Sequence, residues 1–160
     1  MNIGNYIGYG KIYNKKGKPI LHPDEKILKK IKAKCSASWV KKKGISKYIL
    51  SHKILYYHTG TIYLTNQRFI FIRPPLSWKE VRTYEGSTGS HRAITYDLRA
   101  IDMRKHGVME FIEFYYEEID EIIQGIFWKC FKFNIPDRDI LISTENNVIN
   151  EVKNIIKEIH

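Results

Sequence analysis

Two sets of cations in this chain have the type and spacing to hold an anionic ligand. Lys41, Lys42, Lys43 and Lys47 crowd a turn signalled by Gly44. Arg73, Lys79 and Arg82 flank or occupy a polar stretch, PPLSWKEVRTYEGSTGSHR at 74–92, which also carries Leu76 and Trp78. An indole ring settles at head-group level in a bilayer, while neighbouring cations meet anionic lipid. The seven cations and Trp78, eight positions, are therefore the candidate contacts to an anionic head group or to a protein partner. For Trp78 the competing reading is packing against the domain's own core.

Other chemistries lack their constellations. The histidines at 22, 52, 58, 91, 106 and 160 are scattered, and none pairs with His, Cys or a carboxylate at metal-ligand spacing. There is no GxSxG, no phosphate loop and no GxGxxG. The acidic run Glu110, Glu113, Glu117, Glu118, Asp120 and Glu121 has nothing complementary beside it and reads as a solvated strand edge. The expectation is no metal, no cofactor and no catalytic residue.

Charge is unevenly spread. The net charge is +10, yet residues 1–108 hold 22 Lys/Arg against 6 Asp/Glu and residues 109–160 hold 5 against 11. Such polarity produces a positive face that attracts phosphates or an anionic membrane. Its ordinary counterpart is a lysine-rich solvated surface. The 160 residues fit one domain, and a hydrophobic fraction of 43% suffices for a core. No run of about 18 apolar residues exists to span a bilayer, and the start has no apolar stretch typical of a signal peptide. The expected compartment is the cytoplasm, with peripheral membrane contact. Cys35 and Cys130 lack paired spacing and read as buried thiols.

The elements that must position these residues are mostly strands. From Ile31 to Trp39 apolar and polar residues alternate, with Lys32, Lys34, Ser36 and Ser38 at even positions, the period of a half-buried strand. A second β-rich run covers 48–57. Two β-branched and aromatic runs, GTIYLT and RFIFI, flank Asn66-Gln67 and predict a hairpin over 60–65 and 68–73. Strand signals return at 93–101, 127–135 and 140–142. Residues 108–123 are ambiguous: Phe111, Ile112, Tyr115, Ile119, Ile122 and Ile123 follow helical spacing, while aromatic and β-branched content favours strand. Val148, Ile149, Val152, Ile155, Ile156 and Ile159 make one apolar stripe, predicting a helix over 146–159 that buries Val152, Ile155 and Ile156. Residues 1–21 have no clear period and read as an extension, leaving a domain at 22–160.

The hairpin Gly60-Thr-Ile-Tyr-Leu-Thr-Asn-Gln-Arg-Phe-Ile-Phe71 resembles that of GRAM and related bacterial and archaeal pleckstrin-homology-like (PH-like) domains. Pro23-Asp24-Glu25 is similar to their Pro-x-Glu entry, and Tyr116-Glu117-Glu118-Ile119 to their acidic stretch before the late strands. The resemblance implies a mainly β fold: a bent, partly open antiparallel barrel of about seven strands capped by one C-terminal helix. It makes 108–116 a strand and 117–123 a short turn-like segment. It also implies a non-catalytic binding module or adaptor for an anionic membrane surface or a protein. The alternative is a nucleic-acid-binding protein, tracking single-stranded RNA or DNA with its basic face.

Overall fold

The computed structural model describes residues 6–7, 12–38, 44–45, 59–73, 109–125, 130–136, 138–143 and 146–159. The strands are β1 (Tyr6–Ile7), β2 (Ile27–Ser38), β3 (Thr59–Thr65), β4 (Arg68–Arg73), β5 (Met109–Tyr115), β6 (Glu121–Gln124), β7 (Cys130–Ile135) and β8 (Arg138–Ser143). A 3-10 turn at Tyr116–Glu118 follows β5, and helix α1 (Asn146–Ile159) ends the chain. Two compact units divide it: Met1–His22 with Ile72–Phe111, and Pro23–Phe71 with Ile112–His160.

In the larger unit seven strands lie in the order β5-β4-β3-β2-β8-β7-β6. Two antiparallel meanders, β2 to β5 and β6 to β8, thus meet at β2. That strand is long enough to serve both: Ile27–Lys34 pairs with β3, and Lys34–Ser38 pairs with β8. A seven-stranded antiparallel open sheet followed by one C-terminal helix is the PH-like arrangement expected from the sequence.

The hairpin forms as expected, with Asn66 and Gln67 at its tip. Strand β2 starts four residues earlier than the clean alternation. A bulge between Ile27 and Lys29 inserts Leu28 and breaks the period, so both Ile27 and Leu28 are exposed. The ambiguous segment is a strand through Tyr115, which removes the helical reading. The turn-like segment expected over 117–123 needs correcting. Only Tyr116–Glu118 turns; Glu121–Gln124 is β6, paired with Phe131–Asn134 of β7. The 3-10 turn accounts for the false period, because it sets Ile119, Ile122 and Ile123 at helix-like offsets without a helix.

A large apolar cluster forms the main core of this unit. Phe69 stacks on Phe114 at 4.6 Å, and Phe133 packs against both at 5.7 and 5.5 Å. Helix α1 closes this core with Val148, Ile149 and Val152 buried, whereas Ile155 and Ile156 are only half-buried against it. Cys35 and Cys130 are buried free thiols.

In the smaller unit β1 pairs with Met109 and Glu110. The Tyr13 side chain is fully buried: its hydroxyl accepts from the Met109 amide at 2.9 Å, and its ring meets Phe111 edge-on at 6.2 Å. Tyr13 and Pro19 form an antiparallel bridge around the turn Asn14–Lys18. Among the described residues, no helix is long and apolar enough to cross a membrane.

Candidate binding face and the network behind it

Of the eight candidate contacts, only Arg73 falls among the described residues. It closes β4 and is 2% exposed, so its guanidinium is not presented to solvent. Lys41, Lys42, Lys43, Lys47, Trp78, Lys79 and Arg82 lie outside the described residues, as do the strands expected over 48–57 and 93–101 and the stretch 74–92.

A cationic face is nevertheless present on β2. Side chains alternate along a strand, and Ile31, Ala33 and Cys35 turn inward to the core. Lys30 and Lys32 therefore turn outward and are exposed, as is Lys26 just before the strand; Lys34 is half-buried. Same-face neighbours on one strand stand about 6.5 Å apart, so these charges repel one another. Among the described residues, no carboxylate stands across the ladder from the two exposed lysines, Lys30 and Lys32. Lys30 faces Tyr63, Lys32 faces Thr61, and Lys34 faces Thr59 on one side and Ser143 on the other. The Lys30 ammonium lies 5.7 Å from the Tyr63 ring, an electrostatic attraction that fixes its direction without removing its charge. Burial raises the pKa of Tyr63, which keeps it neutral beneath the lysine.

The base of this face is held by a buried ionic network. Arg68 follows the hairpin turn and donates Nε to Glu25 Oε1 at 2.9 Å and Nη2 to Glu25 Oε2 at 3.0 Å. This two-pronged contact matches the planar guanidinium. Its Nη1 donates to Glu113 Oε2 at 2.5 Å. The Arg68 and Glu25 side chains are 3% and 0% exposed, and Glu113 is 33% exposed. Burial on its own would lower the Arg68 pKa, but the bonds and charge of Glu25, joined by Glu113, raise it above the usual value.

Thr65 ties the turn to the same carboxylate. Its hydroxyl donates to Glu25 Oε1 at 2.7 Å and accepts from the Gln67 and Arg68 amides at 3.1 and 2.9 Å. Tyr116 donates its phenol to the Thr65 carbonyl at 2.8 Å. Burial chiefly, with the Glu25 charge adding, pushes the Tyr116 pKa well above the tyrosine range; the Thr65 bond opposes this.

The entry segment is clamped to the same turn. Asn66 Oδ1 accepts from the Lys26 amide at 2.7 Å, and Asn66 Nδ2 donates to the Asp24 carbonyl at 3.1 Å. These bonds hold Asp24 at φ 63°, in the left-handed region that most side chains avoid. The three stretches that carry the resemblance thus meet at Glu25, Arg68 and Tyr116. They mark a structural lock.

Sequence reasoning missed this network. Glu113, read as part of a solvated edge, is half-buried and neutralises Arg68. A second buried ion pair, Lys132 to Asp139 at 3.4 Å, joins β7 to β8. Among the described residues, no group of three or more His, Cys, Asp or Glu could hold a metal ion.

No family model matches this chain, and no curated protein matches it. Among solved structures the chain is similar to the Vps36 N-terminal PH domain. The TM-score is 0.48 at 10% sequence identity, over 99% of this chain and 98% of that one. The PH-like architecture stands on the strand order and the terminal helix.

Proposed function

We propose that this chain is a non-catalytic, GRAM-like member of the PH-like binding modules, and that it recognises an anionic membrane surface from the cytoplasm. The observation that supports this reading is the outer face of β2. Lys30 and Lys32 are exposed there on one face, with a phenol and a hydroxyl rather than carboxylates opposite, and Lys26 is exposed just before the strand. Like charges lined up on one sheet face destabilise the free protein. They make sense where a negative plane neutralises them together. Lys41, Lys42, Lys43 and Lys47 follow β2 in the chain and extend its charge, and Trp78, Lys79 and Arg82 would add an interfacial anchor.

The test is co-sedimentation with neutral and anionic vesicles, at low and raised salt, beside a gel shift with mixed-sequence single-stranded RNA. Each cation close to an anionic surface contributes about 1 kcal/mol within roughly one Debye length. Lys30→Gln with Lys32→Gln should therefore weaken vesicle binding by about 2 kcal/mol. Wild-type protein that ignores anionic vesicles at low salt rules out the membrane reading. An RNA shift under those conditions moves nucleic acid ahead, and silence in both assays leaves a protein partner.

A further inference from the structure

We infer that the turn Asn14–Lys18, with the two aliphatic residues that follow it, is a separate anchor for an anionic bilayer. The inference takes its kind of partner from the reading above but rests on a different part of the chain. Lys15, Lys16 and Lys18 are all exposed at this turn. None has a carboxylate partner among the described residues. The turn is not a loose end. Asn14 Oδ1 accepts from the Lys16 amide at 2.9 Å and from the Lys18 amide at 3.1 Å. The Asn14 amide donates to the Lys18 carbonyl at 2.8 Å, and the Gly17 amide donates to the Asn14 carbonyl at 2.9 Å. Three cations are thus presented on a backbone fixed by four hydrogen bonds, so little conformational freedom remains to be lost on contact.

The apolar half of the anchor is adjacent. Ile20 and Leu21 are each 37% exposed, although Ile12 and Tyr13 on the opposite arm are 6% and 0% exposed. The Ile20 amide donates to the Ile12 carbonyl at 2.6 Å, which continues the pairing of the two arms past the turn. Extended chain advances about 3.5 Å per residue, so Leu21 lies within roughly 11 Å of Lys18. That is close to one Debye length, about 10 Å. Aliphatic side chains at the acyl boundary and cations at the phosphates are the two contacts an anionic bilayer offers together. Single-stranded nucleic acid rewards flat rings on which bases stack, and Ile20 and Leu21 supply none.

The experiment uses the full chain and vesicles of equimolar phosphatidylcholine and phosphatidylserine. Leu21→Cys carries an environment-sensitive dye, and native Cys35 and Cys130, both buried, stay unlabelled. The dye should shift to the blue with these vesicles and not with pure phosphatidylcholine. Lys15→Gln, Lys16→Gln and Lys18→Gln together should weaken binding on the order of a hundredfold, about fivefold per cation. Ile20→Ser with Leu21→Ser should weaken it similarly at low and raised salt. Thermal melts check that each variant is folded. Wild-type affinity in the folded lysine variant, or a silent dye on protein that sediments, overturns the anchor. Loss on Lys30→Gln with Lys32→Gln but not in the turn variant overturns it too, and leaves the β2 reading standing. Loss in the turn variant alone supports the anchor and removes the β2 face. No binding by wild-type protein sinks both.

Discussion

Arg68→Met tests the lock directly. The substitution keeps most of the side chain's volume and removes its charge. Glu25, with a fully buried side chain, then loses both guanidinium bonds and keeps that of the Thr65 hydroxyl. Leaving one member of a buried ion pair without the other costs about 3–5 kcal/mol, a large part of a typical total stability of about 5–15 kcal/mol. For a chain of this size about 2–4 °C of melting temperature is lost per kcal/mol, so the midpoint should fall by roughly 6–20 °C. The loss should also depend on pH. A buried carboxyl that has lost its guanidinium has its folded-state pKa raised relative to the unfolded value near 4.3. The folded variant then binds protons more readily than its unfolded chain. Its deficit is full near pH 7 and shrinks as pH falls towards about 5. Adding Glu25→Gln removes the stranded charge and should recover about 1 kcal/mol or more of the loss. Urea unfolding followed by circular dichroism at both pH values reads all three. A loss below about 1 kcal/mol, or equal losses at the two pH values, would refute the claim that Arg68 neutralises Glu25.

Three further outcomes follow from the same geometry. Tyr116→Phe removes the 2.8 Å bond to the Thr65 carbonyl and should cost about 0.5–1.5 kcal/mol; it should also abolish a phenol that, in a spectrophotometric titration of the wild type, ionises only after the exposed tyrosines. Ile149→Ala should cost about 2–5 kcal/mol, and Ile155→Ala distinctly less because that residue is half-buried; equal costs in a denaturation series would show that the last turns of α1 carry the core. Gly17→Ala meets both a φ of 74° and a Met109 side chain 3.1 Å from the new Cβ, whereas Gly44→Ala meets a φ of 64° and open space; a lower melting temperature for the first than for the second checks that the Asn14–Lys18 turn is packed.

Elements whose neighbours in sequence are also their neighbours in space were legible. The hairpin needed only two β-rich runs and a two-residue turn, and α1 needed only one apolar stripe. Strand β6 was hidden because a three-residue turn set isoleucines at helical offsets. The lock was hidden for another reason. Glu25 and Arg68 are 43 residues apart, and Arg68 and Glu113 are 45 apart. Glu25 and Arg68 each stood inside a stretch that the family resemblance marked, Glu113 did not, and only the order β5-β4-β3-β2 brings their side chains together. The lysines of β2 were visible as the polar half of an alternation, yet alternation alone does not say what stands opposite them. Register does, by placing Tyr63 and Thr61 there instead of acids. The turn at Asn14–Lys18 gave no signal because its order comes from Asn14 side-chain bonds and from Tyr13 packing, neither of which has a period.

The same pairings change how the charge of this protein is to be counted. A formal sum treats every cation alike. Arg68 is buried and answered by Glu25 and Glu113, Lys29 is bonded to Glu151 of α1, and Lys132 is answered by Asp139. Those cations contribute little field beyond their own partners, because opposite charges at contact distance cancel outside a few ångströms. The cations that project a field are exposed and without a carboxylate partner among the described residues: Lys15, Lys16 and Lys18 on the turn, Lys26, Lys30 and Lys32 on and before β2, and Lys153 and Lys157 on α1. Their repulsion persists in the free protein and is released only on meeting a negative surface. Salt screens that repulsion as well as the attraction. Raised ionic strength should therefore weaken vesicle binding while slightly stabilising the unbound fold, a pairing of opposite signs that a purely apolar contact would not produce.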